Sequence, residues 1–375
     1  MAVIEAPKSI LLVGYGAVGM AYTLILERGG AEVTVVARSN FDAVTEHGLD
    51  IYSEKYGEHL GWRPHRVVPC VPDACDRAYD YAIITTKAIP ELVNTSASIV
   101  LAPLFNKTYT SRFPQPVYVN MQNGLDVERD LYETLEARGL RPRVVGTAVY
   151  IGTKTGGKNV LIHSHFDRMS LGMYRYDDYT TAMNTPEEDA ILSDLASLLV
   201  RGGSTAITVP DIQRVKFTKN FWNVAFSSMS ALSRFPLTAL FRSRTSDDSS
   251  APPSVKQAAL LESHTIPTVR ALLMELVALG HAIGWPDDLE KGVSAQFVEN
   301  TIENTAALHQ KPGNGLVASM LVDVLEGRPI EVEAIFGSVV RLARKYGVET
   351  PRLDMLYGIL LVVQNQMLRK TEGSL

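Results

Sequence analysis

Cysteine is nearly absent: 375 residues hold only Cys70 and Cys75, set among Pro69, Pro72 and Asp73. Two are too few for a disulfide framework or a structural zinc site, and a reducing compartment fits best, so a cytoplasmic location is expected. Cationic excess is missing as well. Thirty-six Lys and Arg stand against 41 Asp and Glu, a formal net charge of −5. No broad positive field is therefore available for a nucleic-acid backbone or an anionic membrane, neither is expected as a partner, and any bound anion must be held locally. No apolar run reaches the roughly 18 residues of a membrane span. The opening MAVIEAPKSI lacks a basic region followed by a long apolar stretch. The short run at 359–363 (ILLVV) is expected to be the buried side of a helix. There is no internal repeat at a solenoid period. Apolar residues at 46% and charged residues at 21% are ordinary globular usage, and the length fits two to three domains.

What is present begins with residues 9–13 (SILLV), a continuous apolar run ending in glycine, as in a strand buried on both faces of a parallel sheet. Helix formers follow at 17–28, Gly29 and Gly30 stop them, and 32–37 (EVTVVA) is a second β-rich run, so the opening unit is β-α-β. Further strands are predicted at 81–86, 116–120, 144–151 and 159–163. From about Asp211 strand signals fade, and helical lengths occur at 211–241, 256–283, 287–309, 315–326, 330–346 and 352–370. Between the first two of these, residues 243–254 (SRTSDDSSAPPS) carry too little apolar surface to order themselves and are expected to form a mobile surface loop.

Gly14-Tyr15-Gly16-Ala17-Val18-Gly19 matches G-x-G-x-x-G directly after the first strand and at the start of a helix, the context in which that pattern binds dinucleotides. Gly14 allows the tight turn, Gly16 lets the backbone approach a pyrophosphate, and Gly19 lets the helix pack closely on the strand. Free N–H groups of Ala17, Val18 and their neighbours then meet the negative charge. About 20 residues on, where an NAD enzyme usually carries an acid for the ribose 2′-hydroxyl, the second strand ends in Arg38. A guanidinium accepts a phosphate in paired hydrogen bonds, so Arg38, helped by Ser39 or Asn40, points to the 2′-phosphate of NADP. The expected architecture is α/β: an N-terminal Rossmann-type dinucleotide-binding domain over 1–209, followed by an all-helical substrate domain over 210–375.

Lys219, Asn223 and Ser227 recur every four residues, which places them in one polar stripe on a helix. Phe217, Phe221, Trp222, Val224 and Phe226 take the other faces. A lysine beside apolar walls can have its pKa lowered from about 10.4 and act as a proton donor at neutral pH. Lys216 and Asn220 repeat the same step, so Lys216 is the competing donor. Lys87 and Asn123 stand near the C-terminal ends of predicted strands, the edge where open α/β sheets bind ligands. Later come Ser319, Asp323 and Gly327-Arg328-Pro329, with Pro329 placed to start a helix that has Glu331 and Glu333 in its first turn; Glu333 reads as a helix-dipole partner.

Together these residues resemble the ketopantoate reductase family (2-dehydropantoate 2-reductase) over nearly the whole chain. The family pattern joins the glycine-rich turn, a lysine after the fourth-strand region, a Q-N-G turn, a K-x-x-x-N-x-x-x-N helix, and a late S-M followed twelve residues on by the Glu of a G-R-x-x-E segment. These fall here on Gly14 to Gly19, Lys87, Gln122-Asn123-Gly124, Lys219 with Asn223, and Ser319 with Glu331. The resemblance implies NADPH-dependent reduction of ketopantoate to pantoate, a step of pantothenate biosynthesis, or of a related 2-oxo acid or ketone. Lys219 would donate the proton and Glu331 would order it or bind a substrate hydroxyl. Asn123, Asn223 and Ser319 would hold the substrate, with Ser227 where the family has a second Asn. Arg38 would hold the 2′-phosphate, and Lys87 and Asn123 would border the nicotinamide ribose. Assembly as a homodimer is compatible with this reading.

Three other readings compete. A β-hydroxyacid dehydrogenase also places Lys and Asn on a helix, but its glycine-bearing lead-in is missing from residues 212–219. A non-catalytic NADP-binding regulator would tolerate Ser227. His163 and His165 have the i, i+2 spacing of a metal clip and would face one side of a strand, but no convincing third ligand accompanies them, so metal binding is not expected.

Overall fold

A computed structural model describes residues 6–92, 95–241, 260–311, 316–371 and 373. The chain divides into two compact units, Met1–Lys216 and Phe217–Leu375. The expected mobile loop at 243–254 lies outside the described residues.

The first unit is built on one sheet of β1 (Ser9–Val13), β2 (Glu32–Val36), β3 (Leu49–Ser53), β4 (Gly57–Trp62), β5 (Arg66–Val68), β6 (Tyr81–Ile84), β7 (Val117–Asn120), β8 (Val144–Thr155), β9 (Val160–Met173) and β10 (Thr205–Thr208). The order is β4-β3-β9-β8-β7-β6-β1-β2-β5, with β10 paired to β9. From β5 through β8 every pairing is parallel, and β8 and β9 form a long antiparallel ribbon. Ile10 and Leu12 join one buried cluster and Leu11 and Val13 another, so β1 is covered on both faces, as its unbroken apolar sequence requires. Helices Ala17–Arg28 and Pro186–Arg201 pack on the first face, and helix Arg129–Ala137 on the second. Strands β3, β4, β5 and β10 escaped the sequence reading: β5 has three residues, and β4 (GEHLGW) is an edge strand without apolar alternation.

The second unit is helical, with no strand among the described residues. Helix Ile212–Trp222 crosses the division between units, which falls at 216/217 and not at the expected 209/210. The physical reason is that its first turns belong to the sheet. Ile212 packs against Gly146 of β8, and Gln213 exchanges amide hydrogen bonds with the Arg175 backbone (2.8 and 3.3 Å). The predicted 211–241 helix is also not continuous. It widens into a π turn at Asn223–Ser227, resumes at Ser228–Ser233, and ends where Arg234 takes a left-handed φ of 62°. The 287–309 helix begins only at Ala295, because Asp288 Oδ1 accepts from the amides of Glu290 (2.8 Å) and Lys291 (2.7 Å), a local turn that competes with helix. Pro329 does not open a helix either. Residues 328–331 have no regular structure, Ile330 N–H is pinned on buried Gln364 Oε1 (2.8 Å), and the next helix starts at Val332.

Leu261–Ile283, counting its opening π turn, is long and apolar enough to cross a membrane. Half of its most apolar window is buried inside the protein, and it packs on Ala295–His309 and Pro351–Thr371. In the last of these helices the 359–363 run is not a buried side: Leu360 is fully buried, but Ile359, Leu361 and Val362 are exposed.

Candidate active site

The strand order turns back around β1, whose neighbours β2 and β6 lead away on opposite sides, and the carboxyl ends of these strands share one edge with that of β7. At that edge Gly14 has a φ of 101°, a left-handed backbone that a side chain would strain. A Cβ at Gly19 would lie 2.0 Å from the Gly14 carbonyl oxygen, so the helix seats on the turn only without one. At Gly16 a Cβ would meet nothing within 4 Å. The helix begins there without a side-chain cap, and Met20 N–H is the first to reach an intrahelical partner, Gly16 O at 2.9 Å. The turn therefore offers bare backbone and helix-start amides to open space, which fits the pyrophosphate of a dinucleotide.

Two side chains fasten this turn: Thr85 Oγ1 donates to Gly14 O (2.5 Å) and Asn40 Nδ2 to Tyr15 O (2.8 Å). Asn40 is thereby buried with its Nδ2 engaged, whereas Arg38 and Ser39 are exposed at the end of β2. Lys87 is exposed just past β6. Asn123 is half-buried past β7, on a turn tied from both sides. Asn120 Oδ1 accepts from Gln122 N (2.8 Å), Asn120 Nδ2 donates to Val127 O (3.3 Å), and Gln122 Nε2 donates to Thr86 Oγ1 (3.2 Å).

On helix Ile212–Trp222 the two candidate lysines have different fates. Lys216 is buried and donates to Glu128, whose side chain is 1% exposed. Burial pushes the Glu128 carboxyl above its usual range, against the pull of Lys216. Lys219 is half-buried. Asn220, the partner Lys216 was given by spacing, is a structural link: its Nδ2 donates to Ile335 O at 2.8 Å. Asn223 is half-buried and opens the π turn, while Ser227 closes it and is 1% exposed. Bonding from i to i+5 breaks the four-residue register, so Ser227 does not continue the Lys219–Asn223 stripe as a regular helix would.

Ser319 is exposed at the start of helix Ser319–Leu325, which packs on that π turn and on Ser228–Ser233. Glu331 is half-buried and its carbonyl accepts from Ile335 N (3.1 Å), one turn from the Asn220 link. The second unit thus gathers Lys219, Asn223, Ser227, Ser319 and Glu331 on adjoining elements. Glu333 is more than a dipole partner: it accepts from Arg341 Nη1 (2.7 Å) and from the Tyr357 hydroxyl. Asp323 pairs with Arg328 (2.9 Å).

His163 and His165 do not share a face. His163 is 2% exposed, with Nδ1 on Ser53 Oγ (2.8 Å), whereas His165 is exposed. The ribbon register jumps between Ile151 opposite Asp167 and Thr153 opposite His163, and this bulge destroys the two-residue alternation. Among the described residues no group of three or more His, Cys, Asp or Glu is placed to hold a metal ion.

Both halves of the chain match family models, residues 10–176 the one described as ketopantoate reductase PanE/ApbA and residues 254–364 its C-terminal counterpart. The chain belongs to the ketopantoate reductase family. That family is one of oxidoreductases. An uncharacterised protein of Saccharomyces cerevisiae is 26% identical over 367 residues, covering 96% of this chain and 94% of that one. The 2-dehydropantoate 2-reductase of Methylococcus capsulatus has a similar crystal structure, with a TM-score of 0.71, 24% identity, and coverage of 96% of this chain and 97% of the other. So does D-mandelate dehydrogenase in a ternary structure with NADH and anilino(oxo)acetate: TM-score 0.71, 18% identity, 96% and 99% covered.

Within this family frame, sequence reasoning missed Thr85, Asn120 and Glu128, and it named Asn40 without its tie to the glycine-rich turn. Glu128-Arg129-Asp130 reads as a solvated helix start, and nothing local marks its first residue as buried. Gln122 was visible as part of the Q-N-G turn, although its hydrogen bond to Thr86 was not.

Proposed function

We propose that this ketopantoate reductase family member reduces a 2-oxo acid or related ketone, ketopantoate first among the candidates, to the corresponding alcohol with NADPH. The observation that carries the reading is the gathering of half-buried Lys219, Asn223 and Glu331 with Ser319 on adjoining elements of the second unit. Lys219 hydrogen-bonds the carbonyl oxygen and gives it a proton as charge develops there. Glu331 orders that lysine or accepts a substrate hydroxyl. Asn123, Asn223 and Ser319 fix the substrate's polar groups, and Ser227, buried at the end of the π turn, shapes the site from behind Asn223. The residues from Gly14 to Gly19 hold the pyrophosphate, Arg38 the 2′-phosphate, and Lys87 and Asn123 the nicotinamide ribose. When bound, the dinucleotide supplies the hydride. What the chain adds is orientation and charge stabilisation.

A second reading, a different and specialised ketone substrate, is favoured by Ser227, a buried hydroxyl where the family pattern has an amide with two donors and an acceptor. D-mandelate dehydrogenase, which shares the fold, has been solved with NADH and anilino(oxo)acetate. NADPH consumption measured across ketopantoate, aromatic and branched 2-oxo acids and simple ketones tests both readings. Turnover of ketopantoate supports the first, turnover of another ketone alone supports the second, and tight NADPH binding with no turnover overturns both in favour of a regulatory protein. A cytoplasmic location and a homodimer are part of the proposal.

A further inference from the structure

We infer that the buried Glu128–Lys216 ion pair is a positioning device, fastening the helix that leads to Lys219 onto the turn that carries Asn123. The inference rests on the roles given above to those two residues. Lys216 precedes Lys219 by three residues on one helix, a rise of about 4.5 Å. Glu128 follows Asn123 by five residues in the segment that leaves β7.

The seat for the pair is specific. Both side chains are nearly sealed, at 4% and 1% exposure. Gly146 on β8 makes the room, since a Cβ there would lie 2.8 Å from Glu128 Oε1. The helix is held on one side of the pair by the Gln213 amide on the Arg175 backbone, and its first turn is closed by Asp211 accepting from Arg214 (2.5 Å). On the other side the Asn123 turn is held by Asn120 on Val127 O. It is held again by Arg129, which bridges Asp126 and Asp177 (2.5 Å each), two residues with left-handed φ of 59° and 53°. Backbone strain of this kind persists only where surrounding contacts over-determine it.

A buried ion pair is a weak stabilising device, because desolvation offsets most of the attraction, but it specifies one geometry closely. Here that geometry joins the two segments on which the proposed chemistry depends. Lys216, already bound to a carboxylate away from water, is a fastener and not the proton donor.

The test compares the full-length protein with E128Q, K216M, the double variant E128Q/K216M, and K219A. Hydrogen–deuterium exchange follows peptides covering 121–130 and 210–222; thermal unfolding, NADPH affinity, kcat and KM are measured alongside. Each single variant should speed exchange in both peptides by at least tenfold, leave strand peptides 9–13 and 32–36 unchanged, and lower kcat at least tenfold with KM within threefold. The double variant, which leaves no orphaned charge, should recover the native melting temperature but not the native kcat, and this outcome separates positioning from simple support of the fold. If the single variants do not fold, the double variant decides by the same criteria. Exchange that rises in one peptide only, or in neither, overturns the inference, as does a double variant that recovers kcat together with its melting temperature. Native turnover in K219A, or no turnover of any 2-oxo acid by the native chain, would sink the reductase reading instead, and the exchange arm would still decide the coupling.

Discussion

Gly16 and Gly19 stand three residues apart in one motif, yet the structure gives them opposite jobs, and alanine at each should separate folding from ligand binding. In Gly19→Ala the new methyl lies 2.0 Å from the Gly14 carbonyl oxygen and 2.9 Å from Thr85 Oγ1. A carbon–oxygen contact needs about 3.3 Å, so helix Ala17–Arg28 must back away from the turn by roughly 1.3 Å. The opposing group is backbone and cannot rotate aside, which places the cost at the upper end of the about 1–3 kcal/mol for overpacking. At about 2–4 °C per kcal/mol for a domain of this size, the first unit should melt roughly 6–12 °C lower.

In Gly16→Ala the methyl meets nothing within 4 Å, and a φ of −82° suits alanine. Lower freedom of the unfolded chain and a poorer helix cap nearly cancel, leaving stability within about 0.5–1 kcal/mol of native. The methyl nevertheless occupies the space a phosphate needs to reach the helix-start amides at about 2.9 Å. NADPH should then bind about 10- to 100-fold more weakly, or 1.4–2.7 kcal/mol. Differential scanning fluorimetry with and without NADPH, together with a fluorescence titration, reads both effects. A Gly16→Ala protein that binds NADPH as the native chain does, with a Gly19→Ala protein of native melting temperature, would refute this account of the turn.

Arg38→Ala should weaken NADPH about tenfold or more while leaving NADH nearly unchanged, since only the 2′-phosphate loses its charged hydrogen bonds; the ratio of kcat/KM for the two nucleotides is the check. Lys219→Ala should lower kcat by about 10²- to 10⁴-fold at an unchanged melting temperature, measured by NADPH consumption, and an active variant would mean the donor lies elsewhere. Asp167 is raised by burial, but hydrogen bonds from Lys55, Ser204 and Tyr56 outweigh that and hold it below the usual carboxylate range. Its contribution to stability is therefore complete above the unfolded-state pKa of about 3.9 and is lost as pH falls through the lower folded value. Asp167→Asn should be less stable than native near neutrality, with the gap in denaturant midpoint closing as the pH drops below about 4.

Much of the fold was legible because local pattern and global fold agree. The run SILLV, the glycine-rich turn and EVTVVA specify β1, its helix and β2 almost residue for residue, as an unbroken apolar run has only a doubly covered strand to occupy. The edge strands were not legible, since β4 has no apolar alternation and β5 is only three residues long. Helix limits failed at 287–294 and at Pro329 for a related reason: a side chain satisfying a nearby backbone group, Asp288 in one case and Gln364 in the other, outcompetes propensity. Of the site, the residues with open backbone or half-exposed polar groups could be named from spacing. Their fastenings could not, because Thr85, Asn40 and Glu128 act on partners 71, 25 and 88 positions away along the chain.

The order of residues by itself determined that a dinucleotide-type turn opens an α/β sheet, that a helical half follows, and which lysines compete on one helix, because those are properties of short stretches and their periods. Only the tertiary structure paired Lys216 with buried Glu128, separated His163 from His165, and gave Asn40 and Glu333 partners as ties. Each of those outcomes depends on which remote group a side chain meets once water is excluded, and a linear sequence carries no record of that distance.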